Sequence, residues 1–252
     1  PDLTWAHDAS LPRLPEHAYV RDGSRIMETF VEVEWKFRVA DLTVLQHLRR
    51  LRKVGPFDAG KYVTQMVFDT YYDTPAYTLV DAGYACRFRQ HDETAVIQLK
   101  TLSPAQDTVH RRAELQVSTD RPDWPQAWAP GPARDAAIDA VKDQMLAPIF
   151  HVDQVRHVAP LLQDGREVAQ ISLDEVRWLV GELAVEAYEL EIEVSDSDSE
   201  AAVAAAVLEL VQELNLEPEP DSKFQRGLKW ALPEPSGDEP SAAPGEPQPE
   251  PR

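Results

Sequence analysis

The sequence predicts an α+β protein built on one closed or nearly closed antiparallel β-sheet. Eight short runs alternate apolar and polar residues, which is the two-residue period of a strand with two unlike faces. The runs recur at spacings that suit a large antiparallel sheet. Three other segments repeat apolar residues at helical spacing. About eight strands with a few helices indicate a single sheet that closes or nearly closes.

In chain order, the predicted strands cover residues 30–39, 64–73, 84–90, 95–100, 110–117, 154–162, 167–180 and 187–194. The predicted helices cover residues 41–54, 134–149 and 199–214. The first helix follows Asp41, a residue type that caps helix N-termini. Apolar residues lie roughly on one side of each helix: Leu42, Leu45, Leu48 and Leu51 in the first, Ile138, Val141 and Met145 in the second, and Val203, Val207, Leu210 and Leu214 in the third.

A single folded unit is predicted between two segments of different composition. Residues 1–25 contain three prolines and show no clear period, so we interpret them as an N-terminal arm. Residues 233–252 contain seven of the 21 prolines, no aromatic residue and an excess of acids. A tail of that composition buries too little apolar surface to offset its ordering entropy, and we expect it to be disordered. The folded unit is therefore predicted to span residues 26–232.

The composition excludes several classes of function. A formal net charge of -19 argues against general affinity for nucleic acid or for an anionic membrane, so an anionic ligand must be held locally. The single cysteine, Cys86, excludes an intrachain disulfide framework and favours a reducing compartment. The longest apolar run is too short to cross a bilayer, and no segment resembles a signal peptide. We expect a soluble, cytoplasmic protein, either a monomer or a homodimer.

Charged residues on the predicted strands are sorted by sign. Arg87 and Arg89 share one strand face, whereas Glu189, Glu191 and Glu193 share a face of another strand. For any single strand, a solvated face of an amphipathic sheet is a sufficient explanation. Several such strands together favour a binding site, because like charges two residues apart repel each other and a ligand or metal offsets that cost.

The residue types indicate which ligands this site would take. Carboxylates are hard oxygen ligands for Mg²⁺ or Mn²⁺, and arginine and lysine suit phosphate oxygens. The sequence contains no GxxxxGK[ST] loop, no HExxH and no CxxC pair, so a P-loop nucleotidase or a zinc enzyme is unsupported. An internal, charge-balanced cavity for a polyanion is consistent with an acidic protein.

The segment EVEWK (32–36) resembles the ExExK signature of the CYTH domain, also called the triphosphate tunnel metalloenzyme superfamily. Other segments of the chain are similar to that family and follow in the expected order, at residues 71–90, 97–100, 112–116, 172–175, 188–194 and 221–228. The resemblance spans roughly residues 30–230. It implies an eight-stranded antiparallel barrel with a tunnel, in which basic residues hold a triphosphate and acidic residues hold one or two Mg²⁺ or Mn²⁺ ions.

The resemblance also assigns roles to seven bases and seven acids. The expected substrate-binding residues are Lys36, Arg87, Arg89, Lys100, Arg112, Arg156 and Lys223. The expected metal ligands are Glu32, Glu34, Glu114, Asp174, Glu189, Glu191 and Glu193. Glu34, Lys36, Glu189 and Glu191 are the expected catalytic residues. Gln116 and Val158 replace an acid and a base that are frequent in the family, and bear on turnover and substrate preference.

Several functions remain open from the sequence. The resemblance favours a metal-dependent triphosphatase, with inorganic triphosphate as the first candidate substrate and thiamine triphosphate or a nucleoside triphosphate as others. Adenylate cyclase activity is a related possibility. A non-catalytic module that binds polyphosphate or a nucleotide is a different class of function. The complete set of acids favours an enzyme, because simple anion capture would need only the bases.

Overall fold

The computed structural model describes residues 29–91, 94–102 and 109–232. The predicted arm at 1–25 and the predicted tail at 233–252 lie outside these residues. In chain order, the strands are β1 (Thr29–Val39), β2 (Lys53–Val54), β3 (Phe57–Ala59), β4 (Val63–Asp73), β5 (Tyr84–His91), β6 (Thr94–Thr101), β7 (Val109–Ser118), β8 (Ala147–Gln163), β9 (Arg166–Val180), β10 (Leu183–Val194) and β11 (Glu217–Pro218). The helices are α1 (Leu42–Leu48), α2 (Thr78–Asp81), α3 (Pro132–Val141), α4 (Glu200–Leu214) and α5 (Lys223–Ala231).

The eight long strands form a closed antiparallel barrel. Their order around the barrel is β8-β4-β5-β6-β7-β1-β10-β9, and pairing of β8 with β9 closes the ring. The short strands β2 and β3 extend from β8, and β11 pairs with β1. The predicted α+β class and its eight strands are therefore confirmed. Within the described part of the chain, no helix is long and apolar enough to cross a membrane.

Two of the predicted helices are shorter than predicted. Helix α1 ends at Leu48, because the chain then turns and residues 53–54 pair with β3. Helix α3 ends at Val141, where the next residue, Lys142, has a φ of 57° that an α-helix does not allow. Residues 147–149 belong to β8 instead, so the apolar spacing that continued to Met145 did not mark a helix.

Strand β1 is buried on both faces. Trp35 and Phe37 point outward into an apolar core that α1 and α4 form against the barrel. Glu32, Glu34 and Lys36 point the opposite way and are also buried. The polar face of β1 therefore lies inside the barrel. Helices α1 and α4 cover its apolar face on the outside of the barrel.

Helix α5 packs against the barrel strands at one end of the charged interior. Phe224 and Leu228 share an apolar cluster with Phe150 and Trp178, which lie on the same strand faces as the interior charged residues. A capping box formed by Ser222 and Gln225 begins the helix. The first helical residue is Lys223, so the packing of α5 determines where the Lys223 ammonium lies.

Gly227 allows α5 to approach the barrel closely, and we expect Gly227→Ala to loosen this contact. A Cβ at residue 227 would overlap the Phe150 ring. Overpacking of this kind costs about 1–3 kcal/mol of unfolding free energy. Urea unfolding measures the loss, and Lys229→Ala on the exposed side of the same helix is the control. Equal stability of the two variants would contradict the close packing.

Candidate active site

The charged residues of the barrel interior surround one cavity of about 220 Å³. Every predicted substrate-binding residue lines it. The predicted metal ligands also line it, except Asp174 and Glu189, which are fully buried beside it. Strand alternation explains this convergence, since residues two apart on each strand face the same interior. The structure therefore brings the predicted site residues together.

Three bases of the cavity are each held between carboxylates. The Lys36 Nζ lies 2.6 Å from Glu191 Oε1 and 3.6 Å from Glu34 Oε1. Burial alone would lower the pKa of Lys36, but Glu191 and Glu34 outweigh burial and raise it. Of the other two bases, Lys100 contacts Glu32 at 2.7 Å and Glu114 at 2.8 Å, and Arg112 contacts Glu34 and Glu32.

A second set of contacts centres on Lys223. Its Nζ lies 2.6 Å from Glu191, 2.8 Å from Glu189 and 2.9 Å from Asp174. One carboxylate oxygen from each of these acids lies within 4.8 Å of the others, a spacing that could hold a metal ion. Arg156 completes the set with a two-point contact to Asp174 at 2.8 and 2.6 Å. Burial would raise the pKa of Glu191, but Lys223, Lys36 and Arg156 hold it well below its usual range.

Glu193 differs from the other acids of the cavity. Its carboxylate makes no hydrogen bond or ion pair among the described residues. Burial, together with the nearby Glu32 carboxylate, raises the pKa of Glu193 to about 7. The nearby Lys100 ammonium acts to lower this pKa but does not offset the effect of burial. The donor set of Glu193, Glu32 and Glu34 consists of hard oxygen atoms, so it fits Mg²⁺ or Mn²⁺.

A model of the CYTH domain family matches residues 31–227 of this chain, which is most of its length. The chain belongs to the CYTH family. No protein with a curated functional description matches the sequence. The family match agrees with the ExExK resemblance of residues 32–36 and with the arrangement of acids and bases around the cavity.

Solved structures with a similar fold include two proteins named as candidate cyclases. The Hippeastrum protein HpAC1, a candidate adenylyl cyclase described as having a dominant triphosphatase activity, superposes with a TM-score of 0.57 and 19% identity, covering 80% of this chain and 97% of its own. A candidate adenylate cyclase from Bacillus halodurans superposes with a TM-score of 0.53 and 19% identity, covering 79% and 97%. These similarities show that the CYTH domain has the fold of both proteins.

This CYTH domain departs from the family pattern at Gln116 and Val158, and only one of these two residues lines the cavity. Gln116 lines the cavity, and its amide donates a hydrogen bond to Glu114. An amide at this position removes one negative charge from the cavity wall and supplies a donor instead. Val158 lies on β8 and does not line the cavity. Of the two departures, Gln116 is therefore the one that changes the surroundings of a ligand.

Several polar residues of the site have no counterpart among the residues predicted from the sequence. Asp69 and Gln98 contact Arg87, and Arg226 of α5 contacts Glu189 at 2.5 Å. Asp69 could not be predicted from the sequence, because both faces of β4 carry large apolar residues and alternation therefore does not indicate which face is interior. Arg226 lies in α5, which is not among the helices predicted from the sequence.

We expect the stability contribution of Glu193 to depend on pH in metal-free buffer. Because its folded pKa of about 7 lies above the ordinary glutamate pKa of 4.5, the folded state binds this proton more tightly than the unfolded state does. The resulting stabilisation is complete below the unfolded pKa and is lost as the pH rises through 7. Relative to Glu193→Gln, the melting temperature of the unaltered protein should therefore fall between about pH 5 and about pH 8.

Thermal melts in the presence of a chelator measure this difference. Glu186→Gln, an exposed change on the same strand, is the control and should show no such trend. A constant difference between the unaltered protein and Glu193→Gln across the pH range would contradict the raised pKa.

Proposed function

We propose that this CYTH domain is a metal-dependent triphosphatase whose substrate is inorganic triphosphate. The observation that carries the proposal is the cavity of about 220 Å³, in which seven bases and several carboxylates face one another inside the barrel. A triphosphate carries several negative charges at neutral pH, and its oxygens accept hydrogen bonds from arginine and lysine. The acids would serve no purpose in capturing the anion alone, and they support a metal-bound substrate.

In this proposal, the bases exchange partners when a substrate enters. Lys36, Lys100 and Arg112 now contact carboxylates, and each would donate to phosphate oxygens when those carboxylates bind a cation. A bound Mg²⁺ or Mn²⁺ would polarise a phosphoryl oxygen and neutralise charge on the leaving group. Fixed donors stabilise the charge that develops on the phosphoryl oxygens with little reorganisation.

The two predicted catalytic glutamates of β10 receive different roles. Glu191 lines the cavity, and we assign its carboxylate the role of orienting an attacking water. Glu189 is fully buried between Lys223 and Arg226. We assign Glu189 the role of holding those two cations of α5, rather than direct contact with water or substrate.

The named activities of the similar structures support two versions of the proposal. The triphosphatase activity described for HpAC1 favours hydrolysis, and the cyclase names of both proteins make cyclic AMP formation from ATP the second candidate. The predicted cytoplasmic location, the absence of nucleic-acid and membrane partners, and the monomer or homodimer state stay predictions.

Product analysis with three substrates tests the proposal. Purified protein is incubated with inorganic triphosphate, thiamine triphosphate or ATP, each with Mg²⁺, with Mn²⁺ or with a chelator. Metal-dependent release of phosphate and pyrophosphate, fastest from inorganic triphosphate, is expected. Cyclic AMP as the main product from ATP would replace the proposal with a cyclase. Tight binding of triphosphate without any product would replace it with a binding module.

A further inference from the structure

Asp69 lies behind the paired arginines of the cavity. It is on the interior face of β4, between Val67 and Tyr71, and only 1% of its surface is exposed. It does not line the cavity, whereas Arg87 and Arg89 do. A buried carboxylate is costly unless it is paired, so its partners show what it stabilises.

Donors from three residues hold the Asp69 carboxylate. Arg89 makes a two-point contact, with Nε 2.8 Å from Oδ1 and Nη2 2.7 Å from Oδ2. Arg87 Nη1 lies 3.5 Å from Oδ2, and Gln154 Nε2 donates to the same oxygen at 2.8 Å. Burial would raise the pKa of Asp69, but Arg89 and Arg87 lower it to about 2, so the group is ionised at neutral pH.

These contacts leave part of each guanidinium free to bind a ligand. An arginine has five N–H donors, and the two-point contact of Arg89 uses one on Nε and one on Nη2. Arg87 is held from its other side by Gln98 Oε1, which accepts from Nε at 2.9 Å and from Nη2 at 2.5 Å. Asp69 and Gln98 therefore fix both planes while donors remain for the cavity.

We propose that Asp69 is a positioning residue that orients Arg87 and Arg89 towards the oxygens of a bound triphosphate. This inference rests on the proposed function for the identity of the anion. Orientation matters because donors fixed in advance need no reorganisation as charge develops. A displacement of about 1 Å in a positioning contact can cost roughly 100-fold in rate.

A double-mutant cycle with Asp69→Asn and Arg89→Ala tests the inference. We expect Asp69→Asn to lower kcat/KM for inorganic triphosphate by about 10- to 100-fold in the otherwise unaltered protein. In the Arg89→Ala background, the same change should cost less than about threefold, because the two-point contact of Arg89 is gone and only the 3.5 Å contact of Arg87 with Asp69 is left. Equal losses in both backgrounds, or no loss in either, would overturn the inference.

Binding of inorganic triphosphate gives a second readout that a purely structural role would not move. Removing the negative charge of Asp69 should by itself tighten anion binding. Positioning predicts the opposite, so calorimetry in the presence of a chelator should show weaker binding by Asp69→Asn. Tighter binding would overturn the inference and leave Asp69 as a charge-balancing group.

Two further variants separate geometry from charge and from stability. Asp69→Glu keeps the charge but moves the carboxylate, so positioning predicts a loss of kcat/KM here as well, and full activity would overturn it. This variant also serves if Asp69→Asn does not fold.

Asp73→Asn is the matched control. Asp73 lies on the same face of β4 and is equally buried, but its carboxylate accepts hydrogen bonds from the backbone N–H groups of residues 74, 79 and 80 rather than from an arginine. It should lower the melting temperature and leave kcat/KM unchanged.

The two proposals fail in different ways. If the unaltered protein hydrolyses no triphosphate but binds it, the proposed function is wrong, and the cycle is read from dissociation constants instead. If the protein hydrolyses triphosphate and the cycle is additive, only the role of Asp69 is wrong. If it neither binds nor hydrolyses triphosphate, both are wrong.

Discussion

Glu34→Gln is expected to lower metal-dependent hydrolysis of inorganic triphosphate by at least about 100-fold while leaving the barrel folded. Glu34 is 4% exposed, lines the cavity and lies on β1 between Glu32 and Lys36. Glutamine has nearly the same shape as glutamate but is uncharged. It therefore binds Mg²⁺ more weakly and forms no ion pair with Arg112. Phosphate release under saturating Mg²⁺ measures the effect, and a thermal melt verifies the fold.

Glu186→Gln provides the comparison for this variant. Glu186 is exposed on the outside of β10, so the same chemical change should leave the rate near that of the unaltered protein. A near-normal rate for Glu34→Gln would remove this residue from the metal site and would weaken the assignment based on residues 32–36.

Lys223→Met is expected to reduce the unfolding free energy by about 3–5 kcal/mol at neutral pH, because removing one partner leaves buried charges uncompensated. The Lys223 ammonium contacts Asp174, Glu189 and Glu191, and methionine fills a similar volume without charge. Urea unfolding at pH 7 measures the loss. Lys229→Met, an exposed change on the same helix, should cost less than about 0.5 kcal/mol.

The destabilisation by Lys223→Met should depend on pH in a defined direction. Arg156 and Lys223 overcome burial and hold the pKa of Asp174 below the ordinary aspartate value of 3.8, and the pKa of Glu191 is likewise held below the ordinary glutamate value of 4.5. The stabilisation from such carboxylates is present above the unfolded pKa and is lost as the pH falls through the folded pKa. The difference between the variant and the unaltered protein should therefore shrink as the pH falls below about 4.

Metal addition provides a further check on the Lys223 variant. If Asp174, Glu189 and Glu191 can hold a cation, Mg²⁺ should raise the melting temperature of Lys223→Met more than that of the unaltered protein, because the ammonium no longer competes.

The stability prediction for Lys223→Met has its own contradicting outcome. If the unfolding free energy of this variant at pH 7 lies within about 1 kcal/mol of that of the unaltered protein, the Lys223 ammonium contributes little to the fold.

Alternation of residue types allowed most of the barrel to be predicted. All eight long strands lie where the alternating runs occur, with the largest difference at β8, which begins at Ala147 rather than at residue 154. The periodic signal is strong for strands because each face has one kind of neighbour along its whole length. It is weak at ends such as that of α3, where the backbone of Lys142 stops the helix although apolar spacing continues.

The positions of Asp69 and α5 could not be predicted in this way. Asp69 lies on a strand with apolar residues on both faces, and its role depends on arginines contributed by β5. Helix α5 is short, and its docking depends on the close contact between Gly227 and Phe150, which are far apart in sequence. The docking of α5 and the role of Asp69 both depend on partners from other strands, so neither follows from a local pattern.

The sequence alone predicts eight two-faced strands with charges sorted by sign, and these residues resemble those of a CYTH domain. Only the folded barrel shows that the charged faces point inward, that Lys223 contacts three buried acids, and that Asp69 holds the paired arginines. Alternation distinguishes the two faces of a strand, but it does not indicate which face meets water. Closure of β8 onto β9 and packing of α1 and α4 outside the barrel decide that question.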